Sequence, residues 1–369
     1  MSEKLNTQSV MPAFEKNNIP IVLSSSAYYV PYMAVTIQSI IETSSPKNNY
    51  DFILIHKEIS EYDQDTIRRL AMGKNNISIR FIEISNNYTT LNFNYRNDVA
   101  AAVESFYCVL LPEILKNYSK CICIDCDLVV LHDIAELYHV DVDKYMIAAV
   151  HDIDGIGNMF ADLKGKNPSS IMHGRANYLI KTMGLKKIED YFQSGVMLFN
   201  LDEWRNTYTT DEILNIACAD WIQWGDQDTI NILCKNRVKY LDMAWNVVVN
   251  HNNLQLKMAL QYGPKYLLDE YSLARKEPKI IHYAGTKPWK ISFCDMFIYF
   301  WKIACRSPFF AVIYERALKY DKQIKMQINS EPLIVAKQIE RFYASGLLGL
   351  RCLGPLLIAW VKYKMGRFK

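Results

Sequence analysis

The sequence predicts an α/β fold in which helices cover both faces of a mostly parallel sheet. Between residues 19 and 150, short apolar runs that are typical of buried strands alternate with longer segments of helical periodicity. The first apolar run leads through a polar turn straight into a helix, an arrangement that places a ligand site at the carboxyl ends of the strands in open α/β sheets. A later run, residues 121–130, is apolar apart from two carboxylates and is expected to form a central strand.

The predicted elements follow a polar lead-in at residues 1–18. Apolar runs predict strands at residues 19–23, 52–55, 77–82, 121–130 and 146–150, and helical periodicity predicts helices at residues 32–43, 62–72, 99–115 and 133–138. Residues 151–190 are richer in Gly, Lys, Asn and Met and have weak periodicity, so a substrate-facing loop or lid is expected there. A further buried strand is expected directly after Gln193-Ser194-Gly195, and a helix is expected at residues 225–234.

The composition narrows the class of protein. Half of the residues are hydrophobic and 12% are aromatic, which excludes general disorder. Nine cysteines without a regular spacing, and an N-terminus without an apolar signal-peptide core, predict a reduced, cytoplasmic location. The formal net charge of +3 is uneven, because residues 301–369 carry +9 and residues 1–300 carry −6. No nucleic-acid-binding motif accompanies the basic region, so no nucleic-acid partner is expected.

Asp125 and Asp127 are the first candidate functional residues. They interrupt the apolar run at residues 121–130, and in an extended backbone residues i and i+2 point to the same side. Two adjacent carboxylates repel each other unless a cation lies between them. The pair therefore predicts a divalent metal site shared with the phosphates of a nucleotide. The alternative is that the two residues only form a turn or a helix cap at the end of a strand.

A second candidate group follows the apolar residues 280–281. His282 ends the predicted strand, Gly285 lies in a turn, and Lys287 precedes a proline. A lone histidine is more often a structural residue, but these three together offer a metal ligand, a bare backbone amide and a point charge for phosphate.

The order of five sequence blocks resembles that of the retaining glycosyltransferases of family 8, the group that includes glycogenin and the bacterial lipopolysaccharide galactosyl- and glucosyltransferases. The resemblance spans residues 19–300. The blocks are Ile21-Val22 with Tyr29 and Pro31-Tyr32-Met33-Ala34-Val35, Ile124-Asp125-Cys126-Asp127, Tyr191-Phe192-Gln193-Ser194-Gly195-Val196, Asp226-Gln227-Asp228, and His282-Tyr283-Ala284-Gly285 with Lys287-Pro288-Trp289. The resemblance implies a GT-A type, Rossmann-like nucleotide-sugar-binding domain with a mostly parallel central sheet.

The resemblance also implies a metal site and a donor. Asp125, Asp127 and His282 are implied to bind Mn²⁺, with Mg²⁺ as the alternative, and the ion bridges the two phosphates of a UDP-sugar. Mn²⁺ fits these residue types because it accepts imidazole nitrogen as well as carboxylate oxygen, whereas Mg²⁺ prefers oxygen alone. Gly285 and Lys287 are implied to hold the phosphates.

The remaining blocks imply contacts to the nucleotide and to the donor sugar. Ser26 and Tyr29 lie in the turn implied to contact the nucleotide. Gln193, Asp226, Gln227 and Asp152 match positions that face the sugars, and Gln227 matches the residue nearest the anomeric carbon. A glutamine is a poor nucleophile, because its amide is neutral and weakly basic, so a same-face displacement fits this residue better than a covalent intermediate does.

Three departures from the family pattern support an alternative function. Residues 24–28 replace a turn that is usually acidic and rich in amides, Cys108 stands where an arginine is usual, and the spacing from Gly285 to Lys287 is short. The alternative is a non-catalytic sugar-nucleotide-binding protein. A nucleotidyltransferase ranks below both functions, because the sequence has no glycine-rich phosphate loop of that kind.

The basic C-terminal region, residues 301–369, predicts helices and a membrane-surface contact. Its last apolar segment, residues 347–361, is interrupted by Arg351 and Pro355 and is short for a bilayer span. Four basic residues follow it, which is typical of an interfacial anchor on an anionic membrane. The alternative is a helical cap that packs on the domain.

These observations predict a retaining, metal-dependent hexosyltransferase. The expected enzyme moves glucose or galactose from a UDP-sugar to a saccharide or lipid-linked saccharide in cell-envelope glycan assembly, such as lipopolysaccharide or capsule. The enzyme is expected in the cytoplasm, and its C-terminal region is expected to bind it peripherally to the inner face of the cytoplasmic membrane.

Overall fold

A computed structural model of the chain describes residues 10–84, 103–166, 173–249, 259–285, 287–290 and 294–330. The chain divides into two compact units, residues 1–285 and residues 286–369, which are described separately. The domain ranges expected from the sequence, 1–18, 19–300 and 301–369, stay predictions.

The first unit contains all the strands of the described residues. They are β1 (Asn18–Ser24), β2 (Asn49–His56), β3 (Ile77–Glu83), β4 (Lys120–Ile124), β5 (Leu128–Val130), β6 (Ile147–His151), β7 (Phe192–Asn200), β8 (Val238–Tyr240), β9 (Val247–Val248) and β10 (Ile280–His282). The α-helices of this unit are α1 (Val30–Thr43), α2 (Glu61–Arg68), α3 (Leu111–Ile114), α4 (Ala135–Tyr138), α5 (Ile153–Leu163), α6 (Arg175–Asn177), α7 (Leu201–Thr207), α8 (Thr210–Ala217), α9 (Gly225–Leu233) and α10 (Lys265–Ala274).

Seven strands form the main sheet in the order β3-β2-β1-β4-β7-β6-β8. Strands β3, β2, β1 and β4 are parallel neighbours, β6 and β8 are also parallel, and β7 runs antiparallel to both β4 and β6. The mostly parallel sheet expected from the sequence is therefore confirmed. The side chains of β1 and β2 are buried almost without interruption, as expected for parallel strands that are covered on both faces.

A second sheet of three strands has the order β5-β10-β9. It explains why the expectation of one strand over residues 121–130 was wrong. The chain leaves the main sheet after Ile124, bends at residues 125–127, and enters the small sheet at Leu128. Asp125 and Asp127 thus lie in a bend between two strands of different sheets, and the pleat of a single strand does not bring them together.

The described part of residues 151–190 is more helical than expected. Helix α5 and helix α6 lie in this range, and a single π-helical segment, Tyr178–Thr182, follows α6. The expectation of a loop was therefore wrong for the part of this range that the structure describes. Helix α5 has an apolar face with buried Ile156 and Met159, but its glycines mask the periodicity in the sequence.

Other boundaries also differ from the sequence-based expectation, and three of them matter here. The helix expected at residues 99–115 is a 3₁₀ helix, Val103–Leu110, followed by α3, and residues 99–102 lie outside the described part of the chain. Helix α2 ends at Arg68 instead of residue 72. Gln193, Ser194 and Gly195 lie inside β7 and do not precede it.

The second unit is helical where the structure describes it. Its helices are α11 (Phe297–Ala304) and α12 (Phe310–Ser330). Trp289 is fully buried and packs on Phe300 with ring centroids 5.0 Å apart. Among the described residues, no helix combines the length and the apolarity that crossing a bilayer requires. The apolar segment at residues 347–361 lies outside the described residues.

Candidate active site

The bend that carries Asp125 and Asp127 is held by hydrogen bonds from three directions. The Asp125 amide donates to the Gly195 carbonyl oxygen at 2.9 Å, and the Tyr283 amide donates to the Asp127 carbonyl oxygen at 3.0 Å. The hydroxyl of Thr36, on α1, lies 3.0 Å from the Cys126 carbonyl oxygen and accepts from the Leu128 amide at 3.2 Å. Strand β7, strand β10 and helix α1 therefore all fix the position of the two carboxylates.

Asp125, Asp127 and His282 form one cluster of potential metal ligands. The Nε2 atom of His282 lies 3.4 Å from an Asp125 carboxylate oxygen and 3.3 Å from an Asp127 carboxylate oxygen. One ligand atom from each residue lies within 4.8 Å of the other two. The three residues come from the bend after β4 and from the end of β10, and the pairing of β10 with β5 brings them together.

The cluster is closed on one side and open on the other. The side chain of His282 is 1% exposed and that of Asp127 is 10% exposed, whereas that of Asp125 is 47% exposed. Gly195 lies against the closed side. A Cβ at this position would lie 2.2 Å from Cε1 of His282 and 2.8 Å from an Asp125 oxygen, so only glycine leaves room for the cluster.

This donor set fits a divalent cation. Two carboxylate oxygens and one imidazole nitrogen suit a metal that accepts both oxygen and nitrogen ligands, and the exposed side leaves coordination positions for a substrate. Burial lowers the pKa of His282, but the Asp127 and Asp125 carboxylates outweigh burial and raise the pKa to about 9. A bound cation would take the place of the proton that these carboxylates otherwise hold on the imidazole.

Gln227 and Asp152 form a hydrogen-bonded pair next to this cluster. The Gln227 amide nitrogen donates to an Asp152 carboxylate oxygen at 2.9 Å, and its amide oxygen accepts from the backbone amide and the hydroxyl of Ser194, at 3.2 and 3.3 Å. Ser194 directly precedes Gly195, and the charge of Asp152 interacts with His282. The structure therefore brings Gln227 and Asp152 to the same part of the molecule as the predicted metal ligands.

Asp152 also caps helix α5. One carboxylate oxygen accepts from the Gly155 amide at 3.0 Å, as expected for a residue at the N-terminus of a helix. Burial raises the pKa of Asp152, although this hydrogen bond, the bond from Gln227 and the charge of Arg175 each oppose the rise. The cap leaves the second oxygen free to orient the Gln227 amide.

A buried ion pair between Arg175 and Asp228 was missed by the sequence analysis. The guanidinium bonds both carboxylate oxygens, at 2.5 and 3.1 Å, and its carbon lies 4.6 Å from the ring centroid of Trp224. The hydroxyls of Tyr191 and Tyr178 donate to the same carboxylate. The pair joins helix α6 to helix α9, which carries Gln227. An arginine among weakly periodic residues gave no signal of burial, and Asp228 was expected only as a member of the Asp226-Gln227-Asp228 block.

The nucleotide-binding candidates from the first strand lie close to the carboxylates. Ser26 precedes a 3₁₀ turn, Ala27–Tyr29, and the Tyr29 amide donates to the Ser26 carbonyl oxygen at 3.0 Å. Burial raises the pKa of Tyr29, and the charge of Asp127 raises it further, so the phenol lies within electrostatic range of the candidate metal ligands. The thiol of Cys126 donates to the Ser24 carbonyl oxygen at 3.1 Å and ties this turn to the bend.

The other predicted residues are distributed as follows. Asp226 lies in the first turn of α9 and interacts electrostatically with Cys108, which is buried. Gln193 lies in β7, where its amide oxygen accepts from the Gly195 amide at 2.6 Å. Gly285 is exposed three residues after His282, and Lys287 lies in the second unit.

Comparison with known proteins identifies the fold and the family. The Glycosyl transferase family 8 domain matches residues 20–292. The structure is similar to that of the bifunctional glycosyltransferase WbbM, with 27% identity and a TM-score of 0.71 over 84% of this chain and 53% of that one. This chain thus spans about half the length of WbbM.

Two further proteins agree with this match. The galactosyltransferase LgtC, solved with donor and acceptor sugar analogues, has 22% identity and a TM-score of 0.61 over 79% of this chain and 96% of that one, which shows a shared fold. The lipopolysaccharide 1,2-glucosyltransferase of Escherichia coli K12 is 25% identical over 169 residues, which cover 45% of this chain and 43% of that protein. The expected GT-A fold is therefore confirmed. Because the family domain covers most of the sequence, the chain belongs to glycosyltransferase family 8 and is a glycosyltransferase.

Proposed function

We propose that this protein is a metal-dependent, retaining hexosyltransferase that moves glucose or galactose from a UDP-sugar to a saccharide acceptor. The observation that carries the proposal is the cluster of Asp125, Asp127 and His282, which is open on one side and adjoins the Gln227–Asp152 pair. A donor diphosphate needs a cation, and the sugar needs polar groups beside its reacting carbon. The first unit supplies both kinds of group in one place.

The chemistry of the ligand cluster favours Mn²⁺, with Mg²⁺ as the alternative. Asp125, Asp127 and His282 would hold the ion, and phosphate oxygens would reach it from the side where the Asp125 side chain is exposed. A divalent cation at this position supplies positive charge that stabilises the diphosphate as it leaves the sugar.

Retention of configuration by a same-face displacement fits the environment of Gln227. Its amide oxygen already accepts two hydrogen bonds from Ser194, and its nitrogen already donates to Asp152. An amide held in this way is neutral and a poor nucleophile, so a covalent intermediate on Gln227 is disfavoured. We infer that Gln227 orients the sugar and presents its dipole to the positive charge that develops on the sugar, while Asp152 fixes the direction of that dipole.

The other donor contacts rest on the family resemblance. Gln193 and Asp226 would bind hydroxyls of the sugar, Ser26 and Tyr29 would contact the nucleotide, and Gly285 and Lys287 would bind its phosphates. The electrostatic contact between Tyr29 and Asp127 supports the placement of the nucleotide beside the metal cluster.

The acceptor and the cellular setting are proposed from similarity and charge. The match to a lipopolysaccharide 1,2-glucosyltransferase supports a saccharide or lipid-linked saccharide acceptor in cell-envelope glycan assembly. The +9 charge of residues 301–369 supports contact with an anionic membrane surface, which would confine the enzyme near such an acceptor at the cytoplasmic face.

The proposal is tested by incubating the purified protein with Mn²⁺ and either UDP-glucose or UDP-galactose, and measuring the release of UDP. We expect release with one donor, its loss without the metal, and a decrease of at least about 100-fold in Asp125→Asn and in Asp127→Asn, because each removes a metal ligand. Asp211→Asn is the matched control, since Asp211 is an exposed carboxylate in the first turn of α8. Equal release by all variants would contradict the metal site.

Cys108 favours the non-catalytic alternative as a second candidate function. This residue occupies the position where the family usually has an arginine, and it is buried beside the charge of Asp226. The same assay separates the two functions. Metal-dependent donor binding without UDP release, at saturating donor and over a panel of saccharide acceptors, would favour a sugar-nucleotide-binding protein over a transferase.

A further inference from the structure

A row of hydrogen bonds joins the imidazole of His282 to the backbone of strand β7. The Gly195 amide donates to the side-chain oxygen of Gln193 at 2.6 Å. The side-chain nitrogen of Asn246 donates to the same oxygen at 2.5 Å, and the side-chain oxygen of Asn246 lies 3.0 Å from Nδ1 of His282. Asn246 is 3% exposed and His282 is 1% exposed, so water does not supply alternative partners for either side chain.

The direction of this row follows from its first member. A backbone N–H only donates, so the Gln193 atom that faces it is the side-chain oxygen. An oxygen that faces Asn246 requires a donor there, which places the Asn246 NH₂ group toward Gln193. The Asn246 oxygen must then face His282, and Nδ1 of the imidazole must carry the hydrogen. Each amide orientation and the imidazole tautomer thus follow from one backbone group.

The position of the ring hydrogen on Nδ1 determines whether Nε2, the other ring nitrogen of His282, has a free lone pair. Nε2 of His282 faces the carboxylate oxygens of Asp125 and Asp127, at 3.4 and 3.3 Å. A metal is bound by the lone pair of an imidazole nitrogen, and that lone pair is available on Nε2 only when the ring hydrogen is on Nδ1. The row of bonds therefore selects the tautomer that the metal cluster requires.

We propose that Asn246 is a positioning residue that fixes the orientation and tautomer of His282 for metal binding, and that Gln193 sets the direction of Asn246. The importance of this role for catalysis rests on the proposed function, whereas the tautomer itself does not. A merely structural asparagine would serve in either amide orientation. Here the second orientation would place the Asn246 oxygen against the Gln193 oxygen, whose direction the Gly195 amide fixes, so only one is compatible with the neighbours.

Three variants test the contributions of Asn246 and Gln193 to this row of hydrogen bonds, and a fourth is a control. Asn246→Leu removes both bonds of the amide at a similar volume, and Asn246→Asp keeps an acceptor for Nδ1 while opposing the Gln193 oxygen. Gln193→Leu leaves Asn246 in place but without a fixed direction. The matched control is Asn231→Leu, because Asn231 is a 1% exposed amide whose hydrogen bonds go to the Phe192 backbone of the same strand and to the Gln227 carbonyl oxygen.

The first measurement is the Mn²⁺ dissociation constant, from the electron paramagnetic resonance signal of free Mn²⁺, with and without UDP. We expect Asn246→Leu to weaken binding about 10- to 100-fold, as is typical when the partner of a ligating histidine is removed. Gln193→Leu should weaken it less, and Asn246→Asp and Asn231→Leu should stay close to the wild type. Equal affinity in Asn246→Leu, or a loss in Asn246→Asp as large as that in Asn246→Leu, would overturn the proposal.

The second measurement does not need the metal. The protein has seven histidines, so ¹⁵N-histidine labelling gives few imidazole signals to assign. We expect a slowly exchanging Nδ1–H signal from His282 in the wild type and in Asn246→Asp, and its loss in Asn246→Leu and in His282→Gln. If the wild type bound no Mn²⁺ but showed this signal, the proposed function and the role in metal binding would fail, and only the fixed orientation and tautomer of His282 would stand. If the wild type lacked the signal, the positioning role would fail.

Discussion

The candidate metal site requires a residue without a side chain at position 195. The peptide of Gly195 takes part in two hydrogen bonds that hold the site, one to Asp125 and one to Gln193. Its hydrogen atom lies where a Cβ would be 2.2 Å from Cε1 of His282. Neighbours this close leave no room for a side chain. Glycine is therefore needed at this position in the strand because of space, and not because of its backbone dihedral angles.

We predict that Gly195→Ala weakens metal binding while the protein stays folded. The added methyl group pushes His282 away from the carboxylates, so Mn²⁺ affinity should fall at least about 10-fold and UDP release should fall with it. Gly157→Ala is the matched control, because its Cβ would also come within 2.2 Å of a neighbour, the backbone of Ala259, away from the ligands. The control should lose stability and keep Mn²⁺ affinity. Titration with Mn²⁺ and thermal unfolding measure the two effects.

The sequence identified the ligands of the candidate site but not the residues that hold them. Asp125, Asp127 and His282 stand beside apolar runs, where a charged group is costly unless a partner or a metal compensates it, and the structure brings the three together. Asn246 and Arg175 make their decisive contacts 36 and 53 residues away, to His282 and Asp228. Polar contacts of that range have no periodicity in the sequence and depend on the assembled fold.

Helix α1 is the element that fixes the bend between the two sheets. It is buried along most of its length, and Thr36 and Ser39 both reach from it to backbone groups near the carboxylates. Buried amides without a partner are costly, so these hydroxyls substitute for the strand pairing that the chain gives up when it changes sheets.

We predict that Thr36→Val destabilises the protein by about 1–3 kcal/mol, because it leaves the buried Leu128 amide without its acceptor at nearly constant volume. The bend should also loosen, and Mn²⁺ affinity should decrease. Thr43→Val on the same helix removes a hydroxyl that bonds only carbonyls of its own helix, and it should change stability by less than about 0.5 kcal/mol. Urea unfolding gives both values, and equal losses in the two variants would contradict this role of α1.

The contact between helices α6 and α9 depends on the Arg175–Asp228 pair. We predict that Arg175→Met destabilises the protein by about 3–5 kcal/mol at pH 7, because it leaves a buried carboxylate without its cation. Burial alone would raise the pKa of Asp228, but Arg175 and the surrounding donors hold it below its ordinary value. A carboxyl with a lowered pKa stabilises the fold above about pH 4, the ordinary carboxyl value, and this contribution is lost as the pH falls through the lower folded-state pKa.

The difference in stability between wild type and Arg175→Met should therefore be largest at pH 7 and shrink between pH 7 and pH 3, because burial without the cation raises the pKa of Asp228 in the variant and protonation then removes its uncompensated charge. Below about pH 4 the wild type also loses the contribution of the ion pair. Urea unfolding over this range measures it. Arg237→Met is the control, since the Arg237–Glu203 pair is about one-third exposed and should contribute less than about 1 kcal/mol. A loss that persisted unchanged at pH 3 would show that Arg175 stabilises the fold by packing on its aromatic neighbours instead of by its charge.

Sequence patterns located most of the elements but could not show that one apolar run is divided between two strands. Residues 121–130 are apolar on both sides of Asp125, so the pattern is the same whether they form one strand or two. The division depends on β10, which pairs with β5 from a position about 150 residues further along the chain. Helix α5 was hidden for a local reason, since its two glycines weaken the helical signal that its buried face provides.

At the scale of the whole molecule, charge separates the chain into two parts. The glycosyltransferase family domain lies within residues 1–300, which carry −6, and residues 301–369 carry +9. A domain that binds an anionic donor needs positive charge at its site, but this surplus lies outside the family domain, so we propose a different, anionic partner for it. An anionic membrane surface fits because the surplus accompanies an apolar segment, residues 347–361.

We predict that the full-length protein binds vesicles containing anionic lipid and that replacing Lys362, Lys364, Arg367 and Lys369 with Gln weakens this binding by about 1 kcal/mol for each charge. Deletion of residues 345–369 should remove binding, while UDP release with a soluble acceptor stays at the wild-type level. Co-sedimentation with vesicles of graded anionic lipid content measures the effect, and neutral vesicles are the control. The binding should weaken as salt is raised, because a surface potential falls off within a Debye length.

If the deletion left binding to anionic vesicles unchanged, the membrane contact would lie elsewhere. If the deletion instead lowered the free energy of unfolding, the C-terminal segment would act as a helical cap that packs on the protein.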